Sequence, residues 1–249
     1  MCPNRTAMTN TMQHSPEPAC LVCGAPLCYR DTAEEMTCSV CGRKFSSNAS
    51  CENGHFVCDA CHASPAISAI RSICLETQSK NPFTVAAAMM RSPSVHMHGP
   101  EHHILVGAAL LAAYHNAGDL VLTKDALDEM VRRGLMVPGG FCGLAGSCGA
   151  ALSAGMFYSI VTKTNPLSTD SWSLANQLTA ACLDAIGKAG SPRCCKRDSF
   201  LALGVTVPFV LQHLEIAMEM PELFHCEFFS RNRECLKERC PYFPTEFTH

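Results

Sequence analysis

Paired cysteines in the first quarter of the sequence have the spacing of metal ligands. Two cysteines separated by two residues can turn tightly enough to bind one zinc ion with both thiolates. Four ligand pairs occur in order: Cys20 and Cys23, Cys38 and Cys41, Cys51 and His55, and Cys58 and Cys61. Eight ligands predict two tetrahedral zinc sites. Such closed sites are structural, because no coordination position is left for a substrate.

The spacing leaves the pairing of these ligands open. A cross-brace would give the sets Cys38/Cys41/Cys58/Cys61 and Cys20/Cys23/Cys51/His55, whereas sequential pairing would join the first pair to the second and the third to the fourth. From Cys38 to Cys61 the pattern resembles the first three pairs of a RING finger, but the fourth pair of that family is missing downstream. Ubiquitin-ligase function is therefore not inferred. Cys28 and His62 are spare ligands that could change the assignment.

A histidine-rich block, HMHGPEHH, occupies residues 96–103. Gly99-Pro100 predicts the start of a helix at Pro100, since proline is favoured in a first turn. A helix N-terminus disfavours imidazolium, so the histidines there should be neutral, the form that binds metals or accepts protons. We expect His98, Glu101 and His102 to form a metal or acid–base site. Capping and polar contacts at an interface are the alternative.

A glycine-rich segment with two cysteines, PGGFCGLAGSCGAALSAGM, spans residues 138–156. Cys142 and Cys148 bracket its loop, and Cys148 lies at a predicted helix N-terminus. That position lowers the pKa of a thiol and makes it a better nucleophile or ligand. The catalytic candidates are thus His98, Glu101, His102, Cys142 and Cys148. A tight helix contact with two buried thiols is the alternative interpretation.

Five further cysteines follow in the last quarter of the chain. Cys194 and Cys195 are adjacent and flanked by Arg193, Lys196 and Arg197, whose charges would stabilise thiolates or an anionic cluster. The others are Cys226, Cys235 and Cys240, the last followed by proline as in some iron–sulfur ligand patterns. Cys148, Cys194, Cys195, Cys226, Cys235 and Cys240 are therefore the candidate ligands of one 4Fe–4S cluster. A further zinc ion and a redox disulfide are the other options.

The overall composition limits the possible functions. The chain has 249 residues, 18 cysteines, 47% hydrophobic residues and a net charge of −3. The charge gives no reason to expect binding to nucleic acid or to anionic membranes. Residues 1–18 lack the apolar core of a signal peptide, and the longest apolar runs are too short to span a bilayer. We therefore expect a cytoplasmic protein with reduced thiols. Its partner would be a small-molecule substrate or a redox protein, and its oligomeric state is open.

The hydrophobic pattern predicts a mainly α-helical protein with three parts. They are a disordered lead (1–18), a zinc-binding module of RING-like, treble-clef-like or zinc-ribbon type (19–63), and an α-helical domain with a cysteine-rich tail (64–249). No stretch has a strand-like alternation of useful length. The predicted helices are Ser64–Thr77, Pro82–Met90, Pro100–Ala117, Lys124–Arg133, Cys148–Thr162, Ser171–Gly187, Asp198–Leu203 and Val207–Met218.

The motifs in combination resemble an uncharacterised cysteine-rich domain family of anaerobic archaea and bacteria. The zinc-ligand start, HGPEHH and the CG…SCGA…SAG block carry the resemblance, over roughly residues 38–245. More weakly, residues 142–156 are similar to a redox family named for its GCAxxG pattern, although Ser147-Cys148-Gly149-Ala150 departs from it. Residues 145–156 and 191–200 are also similar to the iron–sulfur L-serine dehydratases. That likeness implies cluster ligands at Cys148 and Cys195.

Two functions are compatible with these observations. The first is a metal-dependent redox or lyase-type enzyme with a Cys/His site, served by a 4Fe–4S cluster or by a dithiol. An enzyme of this kind needs an open coordination site or a reactive thiol. The second is a non-catalytic zinc-binding adaptor, or a carrier of metal or sulfur, which needs neither.

Overall fold

The computed structural model describes residues 20–244, so the predicted disordered lead lies outside the described residues. Within that range the chain is mainly helical, as predicted, with a small cysteine-rich β-hairpin at its N-terminal end. The strands are β1 (Leu27–Thr37) and β2 (Lys44–Cys51), and the helices are α1 (Asp59–Glu76), α2 (Pro82–Arg91), α3 (His102–Ala117), α4 (Lys124–Gly134), α5 (Phe141–Leu144), α6 (Gly149–Val161), α7 (Asp170–Ala189) and α8 (Cys195–Leu214). The chain divides into two compact units between His62 and Ala63.

The N-terminal unit contains a β-hairpin, although its sequence has no strand-like alternation of useful length. β1 and β2 pair antiparallel, from Leu27 opposite Cys51 to Thr37 opposite Lys44, with an irregularity between Tyr29 and Glu34. Much of β1 is exposed, so its sequence lacks the apolar alternation that marks a half-buried strand. Backbone pairing and the cysteines beside it, rather than a large apolar face, hold this unit together.

The C-terminal unit is built around α3. Helix α3 is buried along most of its length, from His102 to Ala113, and it packs against α2, α4, α6 and α8. Its close approach to α6 depends on a glycine: the N–H of Gly107 donates to Ser153 Oγ at 2.8 Å. A Cβ at Gly107 would overlap Met130. Residues without side-chain bulk therefore let the central helix reach its neighbours.

Helix α8 differs from its prediction. One helix from Cys195 to Leu214 replaces the two that were predicted, and Pro208 lies inside it. Its first turns are buried although they carry charge, whereas charged residues normally face water. Cys194 precedes the helix as its N-cap, and its sulfur accepts the N–H of Arg197. The start of α8 thus brings charged side chains and thiols into the interior.

Residues 215–244 return to the start of α8, and within this described segment the regular elements are two short 3-10 helices, Phe229–Arg231 and Lys237–Arg239. The N–H of Cys226 donates to the carbonyl of Tyr242 at 2.6 Å, which closes this segment on itself. Phe228 is buried in the core of the unit. Across residues 20–244, no helix combines the length and hydropathy needed to cross a bilayer.

Candidate metal centres

The first set of candidate metal ligands consists of Cys20, Cys23, Cys51 and His55. Their ligand atoms all lie within 4.8 Å of one another. The imidazole Nδ1 of His55 is 3.2 Å from Cys23 Sγ and 3.5 Å from Cys51 Sγ, and the two sulfurs are 3.9 Å apart. Sulfurs at two corners of a tetrahedron around zinc are about 3.8 Å apart, given Zn–S bonds of about 2.3 Å. The set therefore already has nearly the dimensions of a zinc site.

The second set consists of Cys38, Cys41, Cys58 and Cys61, again with all ligand atoms within 4.8 Å. The sulfurs of Cys41 and Cys58 are 3.8 Å apart. The two sets together interleave along the chain, first pair with third and second with fourth. Of the two pairings that the spacing allows, this is the cross-brace. Neither four-residue set includes Cys28 or His62.

Tight turns place the ligands of both sets. Gly24, Gly42 and Gly54 all have positive φ, and each follows a ligand by one or three residues. The N–H of Gly24 donates to the carbonyl of Cys20, and the N–H of Gly42 to that of Cys38. Left-handed backbone costs glycine little, so each knuckle can fold back on its first cysteine. The hairpin then carries Cys51 at the end of β2.

Backbone N–H groups point at the sulfurs and favour thiolates, the form that binds metal. The N–H groups of Val22 and Val40 lie 3.3 and 3.5 Å from the sulfurs of Cys20 and Cys38. For Cys38, burial raises the pKa, but N–H donors outweigh it and the pKa falls to about 6. Burial and the neighbouring thiols raise the pKa of Cys61 to about 12. Four neighbouring thiolates repel one another, so some of these pKa values fall while others rise. A bound cation would neutralise part of this negative charge.

Four cysteines of the C-terminal unit have the same N–H···S arrangement. They come from two separate places, the N-cap of α8 and the segment that returns after it. The N–H groups of Arg197, Phe228 and Lys237 each lie 3.4 Å from the sulfurs of Cys194, Cys226 and Cys235, respectively, and the N–H of Tyr242 bonds to that of Cys240. We call Cys194, Cys226, Cys235 and Cys240 the four-thiol ring.

The members of the four-thiol ring are close enough for their charges to affect Cys226, but their sulfurs do not have the spacing of a zinc set. Burial raises the pKa of Cys226 to about 12, and the charges of Cys194, Cys240 and Cys235 add to the rise. Within residues 20–244 the ring is not among the groups whose ligand atoms all lie within 4.8 Å of one another. The ring is therefore wider than either N-terminal set.

A buried guanidinium lies beside the four-thiol ring. Arg197 is 3% exposed; its Nε donates to Asp198 Oδ1 at 2.9 Å, and one terminal nitrogen donates to the carbonyl of Gly190 at 2.8 Å. The other terminal nitrogen is buried and has no hydrogen-bond partner in the described part of the chain. Burial raises the pKa values of Cys194 and Cys240, and the charge of Arg197 opposes that rise. The site offers an anion one unsatisfied donor and a positive charge.

A polar chain connects the ring to the histidine block. Asn232 Nδ2 donates to Cys194 Sγ at 3.5 Å, and Asn232 Oδ1 lies 3.3 Å from His98 Nε2. The carboxylate of Glu234, half exposed, is 3.7 Å from the same His98 nitrogen. Burial lowers the pKa of His98. The side-chain amide of Asn232 therefore links His98 to Cys194 of the four-thiol ring.

Two other members of the histidine block, Glu101 and His102, lie in the interior. His102 is 1% exposed, its Nδ1 lies 3.1 Å from the carbonyl of Gly99, and its Nε2 is buried without a hydrogen-bond partner among the described residues. Burial, with a contribution from Lys196, lowers its pKa to about 3, so the ring is neutral as expected. Glu101 is fully buried and accepts the N–H of His96 at 2.8 Å.

A different imidazole contacts the glycine–cysteine segment. The ring of His103 packs on Gly149, so closely that a Cβ there would overlap it, and its Nδ1 lies 3.1 Å from the carbonyl of Val137. His103 was not among the residues singled out from the sequence, because a histidine one position along a helix start carries no distinguishing signal. Asp198 and Asn232 were missed for a similar reason, since single polar residues do not form a motif.

The thiol of Cys148 faces Asp198. Its sulfur is 4.0 Å from Asp198 Oδ2, which also lies 3.4 Å from the N–H of Cys194. The expectation of a lowered pKa is wrong: burial and the Asp198 charge outweigh the N–H groups of the helix N-terminus and raise the pKa of Cys148 to about 11. Cys195 points elsewhere from its neighbour in sequence. Its sulfur accepts the N–H of Gly99, and burial raises its pKa to about 12.

The chain belongs to a family of unknown function, DUF5714, whose model matches residues 70–243. This match covers the helical unit, including the histidine block, the glycine–cysteine segment and the four-thiol ring. No curated protein and no solved structure matches the chain. The family therefore defines a relationship without an activity, and any function has to be inferred from the residues themselves.

Proposed function

We propose that this protein is an iron–sulfur redox protein in which Cys194, Cys226, Cys235 and Cys240 hold a 4Fe–4S cluster. The N-terminal sets would each hold a structural zinc ion. The observation that carries the proposal is the four-thiol ring itself: each sulfur accepts a backbone N–H, the charges of the other three raise the pKa of Cys226, and the ring is wider than a zinc set.

The width of the ring favours a cluster over a single ion. The N-terminal sets have the dimensions that one zinc ion requires, with sulfurs 3.8 and 3.9 Å apart. In a four-iron cluster each thiolate binds a different iron, so the ligand sulfurs are farther apart than they are around a single metal ion. The donor types fit as well, since cysteine thiolates with N–H···S hydrogen bonds are the usual ligands of such clusters.

The charges beside the ring also support an anionic occupant. Arg197 supplies a buried positive charge and one nitrogen without a hydrogen-bond partner in the described range. A buried guanidinium nitrogen without a partner is costly, and a sulfide-bearing anion would satisfy it. Asn232 holds Cys194 by a hydrogen bond to its sulfur, which is the kind of contact that tunes a cluster's potential.

Four protein ligands favour electron transfer over lyase chemistry. A lyase uses an iron with an open position as a Lewis acid, whereas four thiolates leave no open position. The cluster would supply one-electron redox chemistry. The four cysteines would bind the cluster. The buried side chains of Phe228 and Cys226 would keep water away from it, and the positive charge of Arg197 would offset its negative charge.

The test is anaerobic purification of the full chain followed by iron, sulfide and zinc analysis and electron paramagnetic resonance. We expect about four irons and about four labile sulfides per chain. Cys226→Ser should lose most of the iron and keep the zinc. Cys74→Ser is the matched control, because Cys74 is also buried but donates to the carbonyl of Ala108 in the helical core. Zinc without iron in the unmodified protein would instead support the adaptor function.

A further inference from the structure

We propose that His98 takes up one proton when the cluster at the four-thiol ring accepts one electron, so that electron transfer at this site is coupled to proton transfer. The inference rests on the proposed function, since the electron enters that cluster. His98 lies outside the ring, and the side chain of Asn232 lies between His98 and the ligand Cys194. The hydrogen bonds of this amide determine which atom of His98 can accept the proton.

The orientation of the Asn232 amide is fixed by its neighbours. Asn232 is buried. The N–H of Glu234 donates to Asn232 Oδ1 at 3.0 Å, so this end of the amide has to be the oxygen, because a backbone N–H needs an acceptor. The amide nitrogen faces the other way and donates to Cys194 Sγ at 3.5 Å. A proposed cluster ligand and the ring of His98 therefore contact opposite ends of one buried amide.

The same amide determines where neutral His98 carries its hydrogen. His98 Nε2 is 3.3 Å from Asn232 Oδ1, and an amide oxygen can only accept, so Nε2 carries the hydrogen. The other ring nitrogen, Nδ1, is then the basic one. It is buried and has no hydrogen-bond partner among the described residues. A proton that enters the ring therefore binds Nδ1 and leaves the contact with Asn232 in place.

Four side chains set the charge around His98. Burial is the largest influence and lowers its pKa, and the positive charges of Arg193 and Lys196 act in the same direction. The carboxylate of Glu234, 3.7 Å from His98 Nε2, and the hydrogen bond to Asn232 act in the opposite direction. The imidazole is therefore neutral at pH 7 before an electron arrives. An added negative charge nearby would shift this balance towards the imidazolium.

Reduction of the cluster would add such a charge beside Cys194. Along the Asn232 amide, His98 Nε2 and Cys194 Sγ are at most about 9 Å apart. At an effective dielectric constant of about 20, one unit charge at about this distance strengthens the binding of a proton about twentyfold. The electron on the cluster therefore has the sign and the proximity needed to bring a proton to His98.

The step balances in electrons, atoms and charge. An external one-electron donor, such as dithionite, loses one electron and the cluster gains it. One proton comes from water, where an O–H bond breaks, and the N–H bond forms at His98 Nδ1. Oxidation of the cluster by an acceptor reverses both changes. The site keeps its net charge throughout, which avoids the cost of an uncompensated charge in the interior.

Two other histidines of the block are less suitable as the proton acceptor. Burial lowers the pKa of His102 to about 3, far below neutral pH. The ring of His103 packs on Gly149, and its Nδ1 lies 3.1 Å from the carbonyl of Val137. His98 is the histidine that shares a hydrogen-bonded amide with a ligand of the proposed cluster.

The test is the reduction potential of the anaerobically purified full chain between about pH 5 and pH 8. It is measured by dithionite titration with redox dyes and followed by electron paramagnetic resonance. The twentyfold change in proton binding converts to a potential about 75 mV lower at the alkaline end, because a tenfold change corresponds to about 59 mV for one electron. The fall should lie in the acidic half of the range, since the pKa of His98 is lowered.

A matched pair of variants separates His98 from other titrating groups. In His98→Gln the new side chain cannot take up the proton, but its amide can still donate to Asn232 Oδ1, so the potential should no longer depend on pH. His115→Gln is the control and should keep the full fall. His115 lies at the other end of α3, where its Nδ1 is 2.7 Å from the carbonyl of Leu111. A fall of equal size in both variants would overturn the proposal.

Glu234→Gln provides a second test that does not change the histidine. Removing the carboxylate makes the imidazolium less favourable, so the fall in potential should move to lower pH; an unmoved profile would contradict His98 as the proton acceptor. Iron and sulfide are measured in every sample. Bound cluster with a pH-independent potential would overturn the proton coupling alone, whereas a protein purified without iron would overturn the proposed function and the coupling with it.

Discussion

Replacing Arg197 with methionine should lower the free energy of unfolding by about 3–5 kcal/mol, because it removes one partner of a buried ion pair. The side chains of Arg197 and Asp198 are 3% and 6% exposed, and their nearest polar atoms are 2.9 Å apart. Methionine keeps much of the aliphatic length. It leaves the carboxylate and the carbonyls of Gly190 and Pro192 without their donor.

The chain provides a matched control in Arg132→Met. Arg132 pairs with Glu129 at 2.7 Å, but its side chain is 63% exposed. Arg133 also contacts that carboxylate, at 2.7 Å, so the charge of Glu129 keeps a partner after the substitution. Exposed pairs contribute only about 0.2–1 kcal/mol. The same chemical change should therefore cost several times more at the buried position.

Urea unfolding followed by circular dichroism, under anaerobic conditions at pH 7, measures both changes. A slope of about 2 kcal/mol per molar urea converts the expected loss into a midpoint lower by about 1.5–2.5 M for Arg197→Met. Arg132→Met should shift the midpoint by less than about 0.5 M on the same conversion. Coinciding midpoints for the two variants would show that the buried pair does not contribute as argued.

The pH dependence of the same experiment tests the cause. Burial raises the pKa of Asp198, although Arg197 opposes the rise. A carboxyl with a raised pKa in the folded state makes its stabilising contribution at low pH and loses it as the pH rises through that pKa. The ionised carboxylate is thus a cost at pH 7, and the cost grows without Arg197. Lowering the pH towards 5 should narrow the gap between the variant and the unmodified protein.

Three further predictions concern metal binding and packing. Cys58→Ser should lose one of the two expected zinc ions, whereas Cys74→Ser should keep both, as measured by elemental analysis. Equal zinc content in the two variants would contradict the assignment of Cys58 as a zinc ligand. Because burial raises the pKa of Cys58 and zinc needs thiolates, zinc transfer to a chromogenic chelator should become faster as the pH falls from 8 to 6, and a flat profile would count against thiolate ligation. Gly107→Ala would overlap Met130 and should cost about 1–3 kcal/mol in urea unfolding, whereas Gly143→Ala, with nothing within 4 Å, should cost less than about 0.5 kcal/mol.

The ligands of the N-terminal sets could be found from sequence because their signal is local. Two cysteines with two residues between them turn back on the same ion whatever the rest of the chain does. The hairpin beside them could not be found in the same way. The segment Leu27–Thr37 is largely exposed, so it carries no alternation of apolar and polar residues. This segment becomes a strand because it pairs with Lys44–Cys51, and a local sequence pattern does not reveal that pairing.

The helices followed from apolar periodicity, but the ends and continuity of α8 did not. The gap predicted between Leu203 and Val207 is absent, and one helix continues through Pro208 to Leu214. The choice between Cys194 and Cys195 was also beyond the sequence. It depends on where the helix begins: Cys194, as N-cap, directs its sulfur to the N–H of Arg197, while Cys195 directs its sulfur to Gly99. Cys226, Cys235 and Cys240, which would join Cys194 in the ring, lie 32 to 46 residues downstream in the sequence, and only tertiary structure brings them near it.

The start of α8 is difficult to explain as a device for stability. Lys196, Arg197 and Asp198 lie side by side and are 0%, 3% and 4% exposed, in a unit whose central helix is otherwise lined with alanine and leucine. Buried ion pairs of this kind are often less stabilising than apolar residues of the same size. Burial lowers the pKa of Lys196 to about 8, because desolvation disfavours the charged ammonium group.

A cost of this size is tolerated where charge has a task, as it has around anionic cofactors and reactive thiols. The three residues lie in the first turn of the helix that Cys194 caps, and Asp198 also reaches Cys148. One helical turn therefore holds a ligand of the proposed cluster, the cation that would neutralise it, and the carboxylate that faces Cys148. If the charges served only the fold, replacing Lys196 with methionine would raise stability and leave iron content unchanged. A loss of iron would assign the buried charge to the proposed cluster.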